Sequence, residues 1–222
     1  TGYVFMNRPA TSLGFITHFS HHSQSSTYGY NHYSGLQNSL YMNLIFQSWL
    51  FDTRHEYSAG ISLMNDQYDE SVNAVPYDNT ETIPGVFFQY TWRPNEATTF
   101  MAGIRADRHN LRGMFYTPRL HLKLALTPST TLRASAGKGY RTASVFAENS
   151  YLLASSRQLV VNGELEQEEA RNLGLTLSQN LQVLGNEWIF SAEYHRTDFQ
   201  NQVVVDVYRD PSAIYIYNLD GI

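Results

Sequence analysis

The stretch RLHLKLAL at residues 119–126 constrains the fold more than any other part of the chain. Leu120, Leu122, Leu124 and Leu126 take alternate positions, and Arg119, His121 and Lys123 fill the gaps between them. Successive side chains of a strand point to opposite faces, so this stretch presents one aliphatic face and one cationic face. The same period of two recurs along most of the chain, and helical spacing is hard to find. Leu40, Met42, Leu44 and Phe46 share a face opposite Ser39, Tyr41, Asn43, Ile45 and Gln47. Val86, Phe88, Tyr90 and Trp92 oppose Gly85, Phe87, Gln89 and Thr91. Phe100, Ala102, Ile104 and Ala106 oppose Met101, Gly103, Arg105 and Asp107. Leu173, Leu175 and Leu177 oppose Asn172, Gly174 and Thr176, and residues 57–64 and 190–195 alternate in the same way.

A soluble β-sandwich alternates too. Three features favour a transmembrane barrel instead. The second face is mixed (small, amide, charged and occasionally aromatic), as a wet interior would be. Short turns near residues 51–54, 93–96, 127–130 and 184–186 alternate with generally longer connections near 24–36, 66–81, 141–168 and 199–212. Trp49, Trp92 and Trp188 all sit beside the short turns, although Trp49 falls on the polar parity of its strand. Short turns on one side, long loops on the other and aromatic belts characterise membrane barrels. The expected fold is therefore all-β, an antiparallel transmembrane barrel. Leu40, Met42, Leu44, Phe46, Leu120, Leu122, Leu124, Leu126, Leu173, Leu175 and Leu177 are expected to face lipid. Arg105, Asp107, Arg119, His121, Lys123, Arg133 and Glu193 are expected to face the lumen or a domain plugging it. The reverse placement would cost about 2–4 kcal/mol per cation at the bilayer midplane.

Composition agrees with this reading. The 222 residues include no cysteine, which removes disulfides, thiolate metal sites and cysteine nucleophiles together. A net charge of -5 carries no basic bias toward nucleic acid. Charged residues make up 16%, below the ~25% of soluble domains, yet no apolar run approaches the ~18 residues of a membrane helix. The opening TGYVFMNRPA has neither the basic start nor the apolar core of a signal peptide. About nine full strands and the start of another are expected, with residues 217–222 reading as a strand that breaks off. An unfinished sheet has open edges that lipid does not tolerate, so residues 1–222 are expected to be the central part, about ten strands, of a larger barrel.

Residues 131–174 carry a resemblance to a known family. Gly137, Gly139, Tyr140 and Arg141 form a Gly-x-Gly-Tyr-Arg strand end, and Phe146 with Glu148 forms a Phe-x-Glu element. Leu165 and Glu168 lead into a strand with Asn172-x-Gly174. In this order the elements resemble the barrel of TonB-dependent outer-membrane receptors, although Gln167 replaces the usual proline before Glu168. Residues 199–221 resemble that family's next outer hairpin, and the opening 43 residues are similar to receptors of gut Bacteroidetes. The resemblance implies a barrel of about 22 strands with a plugged lumen. It implies energised uptake of a scarce nutrient across the bacterial outer membrane: iron–siderophore, haem, cobalamin or glycan. The TonB complex would supply the energy through a plug domain and a short TonB-gripping motif, and neither lies within residues 1–222. The implied partners are the lipid bilayer with its lipopolysaccharide, the TonB complex, a small-molecule nutrient and optionally a surface lipoprotein. No nucleic acid, cofactor or catalysis is implied.

The remaining candidates are modest. Tyr28, Tyr30, His32 and Tyr33 lie in an aromatic loop suited to stacking on a nutrient, or to packing on itself. His18 and His22 share a face but stand about 13 Å apart along an extended strand, too far to share a metal ion. Asp66, Asp69, Glu70, Asp78 and Glu81 lack EF-hand spacing and read as a solvated acidic loop. The Asp/His groupings at 107–109 and 193–198 keep open a self-contained small barrel acting as an omptin-like protease. A passive pore or adhesin barrel is the other alternative.

Overall fold

A computed structural model describes residues 1–8, 10–163 and 165–219. The strands are β1 (Gly2–Val4), β2 (Ser12–Tyr28), β3 (Asn31–Trp49), β4 (His55–Val72), β5 (Val75–Pro76), β6 (Asn79–Asn95) and β7 (Thr98–His109). They continue with β8 (Gly113–Thr127), β9 (Thr130–Arg141), β10 (Gln158–Val161), β11 (Glu168–Val183), β12 (Asn186–Gln200), β13 (Gln202–Asp210) and β14 (Ala213–Leu219). A short helix α1 (Val145–Asn149) and a 3-10 turn (Ser150–Ala154) lie between β9 and β10.

One sheet runs β1-β2-β3-β4-β6-β7-β8-β9-β11-β12 in that order, with β5 paired to β4. Every pairing in it is antiparallel between sequence neighbours, apart from the steps over β5 and β10. Register decides the faces. Leu120 lies opposite both Ala102 and Ala136, Leu122 opposite Phe100 and Ala134, and Leu173 opposite Ala136. On the other face Arg119 lies opposite Gly103 and Gly137, His121 opposite Met101 and Ser135, and Lys123 opposite Thr99 and Arg133. The sheet thus has one apolar face and one polar face over its part nearer the short turns. Ile61, Val86, Ile104, Leu120, Leu173 and Leu175 stand largely exposed on the apolar face. Ser62, Asp66, Glu81, Thr91, Asp107 and Thr117 are buried on the polar face.

Strand lengths differ from the sequence expectation in one instructive way. The connections expected near 24–36 and 66–81 are largely strand: β2 and β3 meet over Gly29 and Tyr30 alone. β2, β3, β4 and β6 are 17–19 residues long, beyond the roughly 9–11 a membrane crossing needs. Their excess projects from the end opposite the short turns. Polar residues continue the ladder there because backbone pairing does not require an apolar face once the strand has left the bilayer.

The chain end also departs from expectation. Residues 213–219 do not extend the main sheet. β14 pairs antiparallel with β13 and parallel with β10, forming a separate three-stranded sheet. Its core is Leu152, Leu165, Ile214 and Ile216, with Leu159, Val203, Val205 and Val207 packed around them. Residues 220–222, the end of the expected broken-off strand, lie outside the described residues.

Candidate functional site

The polar face and the segment folded over its projecting end form the candidate site. On β7, Arg105 Nε donates to both carboxylate oxygens of Asp107 at 2.7 and 2.9 Å, and Arg105 Nη2 donates to Ser62 Oγ at 2.7 Å. Asp107 is 2% exposed, so its charge depends on this fork, with the Tyr140 ring beside it. Gly85 makes room for the pair. A Cβ there would collide with the Asp107 carboxylate and crowd Arg105 and Ser62. Next along β7, the buried His109 accepts from the Leu111 N–H through Nδ1 at 3.1 Å. Its Nε2 therefore carries the proton and faces Glu81 at 3.4 Å and Thr142 at 3.4 Å.

Farther out, Tyr33 donates to Glu70 Oε1 at 2.7 Å within the projecting wall. Burial pushes the Glu70 carboxyl up, partly offset by that hydrogen bond, and burial beside Glu70 pushes the Tyr33 hydroxyl up as well. Tyr68 is pushed up to about 12 by burial and by the carboxylates of Asp66, Glu81, Glu70 and Glu148. A hollow of about 220 Å³ between His22, Gln24, Tyr33, Tyr68, Glu70 and Ala147 opens here.

Residues 142–163 and 165–167 fold across this end. Asn31 Nδ2 donates to the Leu153 carbonyl at 2.8 Å, the Tyr28 hydroxyl reaches Ser150 Oγ at 3.4 Å, and Phe146 packs on Tyr77 at 4.4 Å between centroids. Glu168 fastens the segment at its base. Its Oε2 accepts from Arg141 at 2.6 Å, and its Oε1 accepts the Val203 N–H at 2.8 Å. Arg141 also reaches Glu148 of α1 at 2.9 Å. The motif residues Arg141 and Glu168 thus tie together the end of β9, the start of β11 and the start of β13. Arg141 is more than half exposed, so solvent screening holds each of its ion pairs to about 0.2–1 kcal/mol. Glu168→Ala is expected to loosen residues 142–167, seen as new protease cleavage in that segment on intact cells. Unchanged resistance would show that the clasp is dispensable.

The other expected residues are distributed as follows. The aromatic set does not converge: Tyr30 is fully exposed at the hairpin tip, Tyr33 is buried, Tyr28 touches Ser150, and His32 contacts Thr27. Arg119, His121, Lys123 and Arg133 line two adjoining hollows of about 250 and 330 Å³ on the polar face, nearer the short turns. Among the described residues none of the four has an ion-pair partner. Glu193 meets His195 at 3.5 Å. The buried atoms Asn43 Oδ1 and Thr117 Oγ1 lack hydrogen-bond partners and belong to residues that border a third hollow beside Arg119. Tyr140 lies 4.7 Å from the Phe115 ring. No cluster of three metal-ligating side chains occurs among the described residues. His109 entered the sequence reading only within the Asp/His grouping at 107–109, and Ser62 and Gly85 were not picked out at all. Only the parity of Ser62 and Gly85 on the polar face marked those two.

Comparison with known proteins supplies the remaining information. A family model described as TonB dependent receptor-like, beta-barrel, matches residues 2–221. The ferrienterobactin receptor of Escherichia coli (strain K12) is 24% identical over 139 residues, covering 58% of this chain and 18% of the relative. The ferric enterobactin receptor of Pseudomonas aeruginosa is 30% identical over 139 residues, covering 57% of this chain and 16% of the relative. The matched stretch is thus less than a fifth of either relative. Among solved structures, the siderophore receptor PirA from Pseudomonas aeruginosa superposes with a TM-score of 0.67 at 14% identity, over 98% of this chain and 47% of that one. The copper transporter OprC superposes with a TM-score of 0.65 at 16% identity, over 95% and 38%.

Proposed function

We infer the function from one premise: the chain belongs to the TonB-dependent receptor-like β-barrel family. It is an all-β segment of an outer-membrane receptor barrel, part of a transport protein. We propose that the whole protein takes up a ferric siderophore, energised through TonB, and that this segment catalyses no reaction. In this reading a plug domain and a TonB-gripping motif are encoded outside residues 1–222. The apolar face meets lipid and the polar face meets the lumen. Arg119, His121, Lys123 and Arg133, which have no counter-ion among the described residues, meet carboxylates of the plug. Tyr28, Tyr30 and the segment 142–167 border the entrance that the nutrient passes. The observation that carries this reading is the two-sided wall. One face is too apolar for water, and the other buries an ion-paired polar network beneath a clasped outer segment. The relatives named for ferric enterobactin favour a catecholate cargo over haem, cobalamin or glycan.

The test is uptake of radio-iron as a ferric catecholate by cells whose only such receptor is the full-length protein. Uptake that disappears on loss of TonB is expected. Uptake independent of TonB would overturn the energised reading, and transport of cobalamin or haem in its place would overturn the cargo.

A further inference from the structure

We propose that Gln167 is a positioning residue for uptake: through Thr142 it pins the outer segment to the buried His109, and so sets the pose of the entrance that the cargo meets. The entrance rests on the transport reading above, and the pinning rests on side-chain contacts alone.

Three consecutive residues at the start of β11 point three ways. The Glu166 N–H donates to Asn218 Oδ1 of β14 at 2.8 Å, and Glu166 Oε2 accepts from Asn201 at 2.8 Å. Glu168 accepts from Arg141 and from the Val203 N–H. Gln167, between them, is 6% exposed, and its Nε2 donates to Thr142 Oγ1 at 2.9 Å. What it holds is a single body. Leu152 of the 3-10 turn, Leu165, and Ile214 and Ile216 of β14 share one core, which joins the outer segment to the three-stranded sheet.

What Gln167 holds on to is fixed. The His109 side chain has no exposed surface. Its Nδ1 accepts the Leu111 N–H at 3.1 Å, so the ring cannot turn over without orphaning that donor. The Nε2–H then faces Thr142 Oγ1 and Glu81 Oε2, each at 3.4 Å, and Asn79 Nδ2 donates to Glu81 Oε1 at 3.2 Å. Thr142 Oγ1 thus accepts from both sides, from His109 on β7 and from Gln167 ahead of β11. One polar line crosses from β6 to the start of β11 beneath the outer segment.

Stability alone does not call for an amide at this place. Gln167 Oε1 is buried without a hydrogen-bond partner. An unpaired buried acceptor costs free energy, and a leucine would avoid that cost. What leucine lacks is direction. A hydrogen bond fixes where the entry to β11 sits relative to Thr142, whereas apolar contact is non-directional and tolerates sliding. The nearby Arg141–Glu168 pair is a weaker guide, since the Arg141 side chain is 56% exposed and water competes for it.

The test uses the full-length receptor with Gln167→Leu, Thr142→Val and the double variant, each checked for assembly by heat-modifiable gel mobility. Amide exchange in nanodiscs is followed by mass spectrometry. Gln167→Leu is expected to speed exchange within residues 142–163 about fivefold and to leave β12 unchanged. Thr142→Val keeps the shape and deletes the shared hydroxyl. It should match Gln167→Leu, and the double variant should add nothing, because all three cut one line. In cells, the half-saturating concentration of ferric catecholate should rise about fivefold at an unchanged maximal rate per receptor, because saturating cargo selects the competent pose. Wild-type exchange in Gln167→Leu, additive effects in the double variant, or a lower maximal rate at unchanged half-saturation would each overturn the proposal. Should Gln167→Leu fail to assemble, Thr142→Val decides. A wild type that transports no ferric catecholate would sink the transport reading, and amide exchange would still decide the pinning.

Discussion

Leu122→Arg is expected to abolish accumulation of the assembled receptor in outer membranes, while His121→Arg accumulates normally. The two positions are chain neighbours on the same strand, so synthesis, folding order and local propensity are shared. Only the face differs. Leu122 lies between Phe100 and Ala134 on the apolar face, and His121 lies between Met101 and Ser135 on the polar face. An arginine near the bilayer midplane costs about 2–4 kcal/mol, whereas one beside Arg119 and Lys123 adds only repulsion in a wet lumen. The measurement is the yield of folded, heat-modifiable receptor in the outer-membrane fraction. Equal yields would refute the assignment of faces.

The second large effect concerns two glycines of similar appearance in sequence. Gly85→Val is expected to destabilise the barrel by about 1–3 kcal/mol in urea unfolding, since the new side chain must displace a packed ion pair. The Arg105–Asp107 fork passes directly over Gly85, and Asp107 has no solvent to retreat into. Gly139→Val is expected to be nearly neutral, because nothing lies within 4 Å of a Cβ built there. The contrast is informative because Gly139 belongs to the sequence motif and Gly85 does not. If Gly139→Val were the more damaging, the Arg105–Asp107 pair would not be what makes glycine necessary at Gly85.

Much of the wall was legible in the sequence because the period of two is a local property. Leu120, Leu122 and Leu124 needed no partner strand to define a face, and pairing only had to align one such face with the next. The segment 66–72 was misread as part of a loop for the same reason. Its side chains up to Ser71 are all polar or aromatic, so parity carried no apolar signal, although the backbone ladder with β3 continues unbroken to Val72. Residues 217–219 were misassigned in the opposite sense when read as the start of a further wall strand, whereas the resemblance of 199–221 to an outer hairpin agrees with the antiparallel pairing of β13 and β14. AIYIYNL alternates as a wall strand does, and only its pairing with β13 and β10 places it in a separate lobe. Side-chain partners were the least legible part. The bond from Tyr33 to Glu70 spans 37 positions, and the one from Glu168 to the Val203 N–H spans 35. Nothing local announces either. The motif around Gly139 to Glu168 pointed to the family correctly. The clasp it builds became visible only once Arg141 and Glu168 were seen on adjacent strands.

The wall itself can be tested most directly with the cysteine-free background of these residues. Single cysteines introduced at Leu173, Gly174, Leu175 and Thr176 of the full-length receptor would carry spin labels, read in bilayers against oxygen and an aqueous nickel chelate. The labels at 173 and 175 should be relaxed by oxygen and shielded from nickel. Those at 174 and 176 should show the reverse, or shielding from both reagents where the plug covers them. Nickel access at 173 and 175, or no alternation along the four positions, would contradict a membrane-spanning wall and the transport reading built on it.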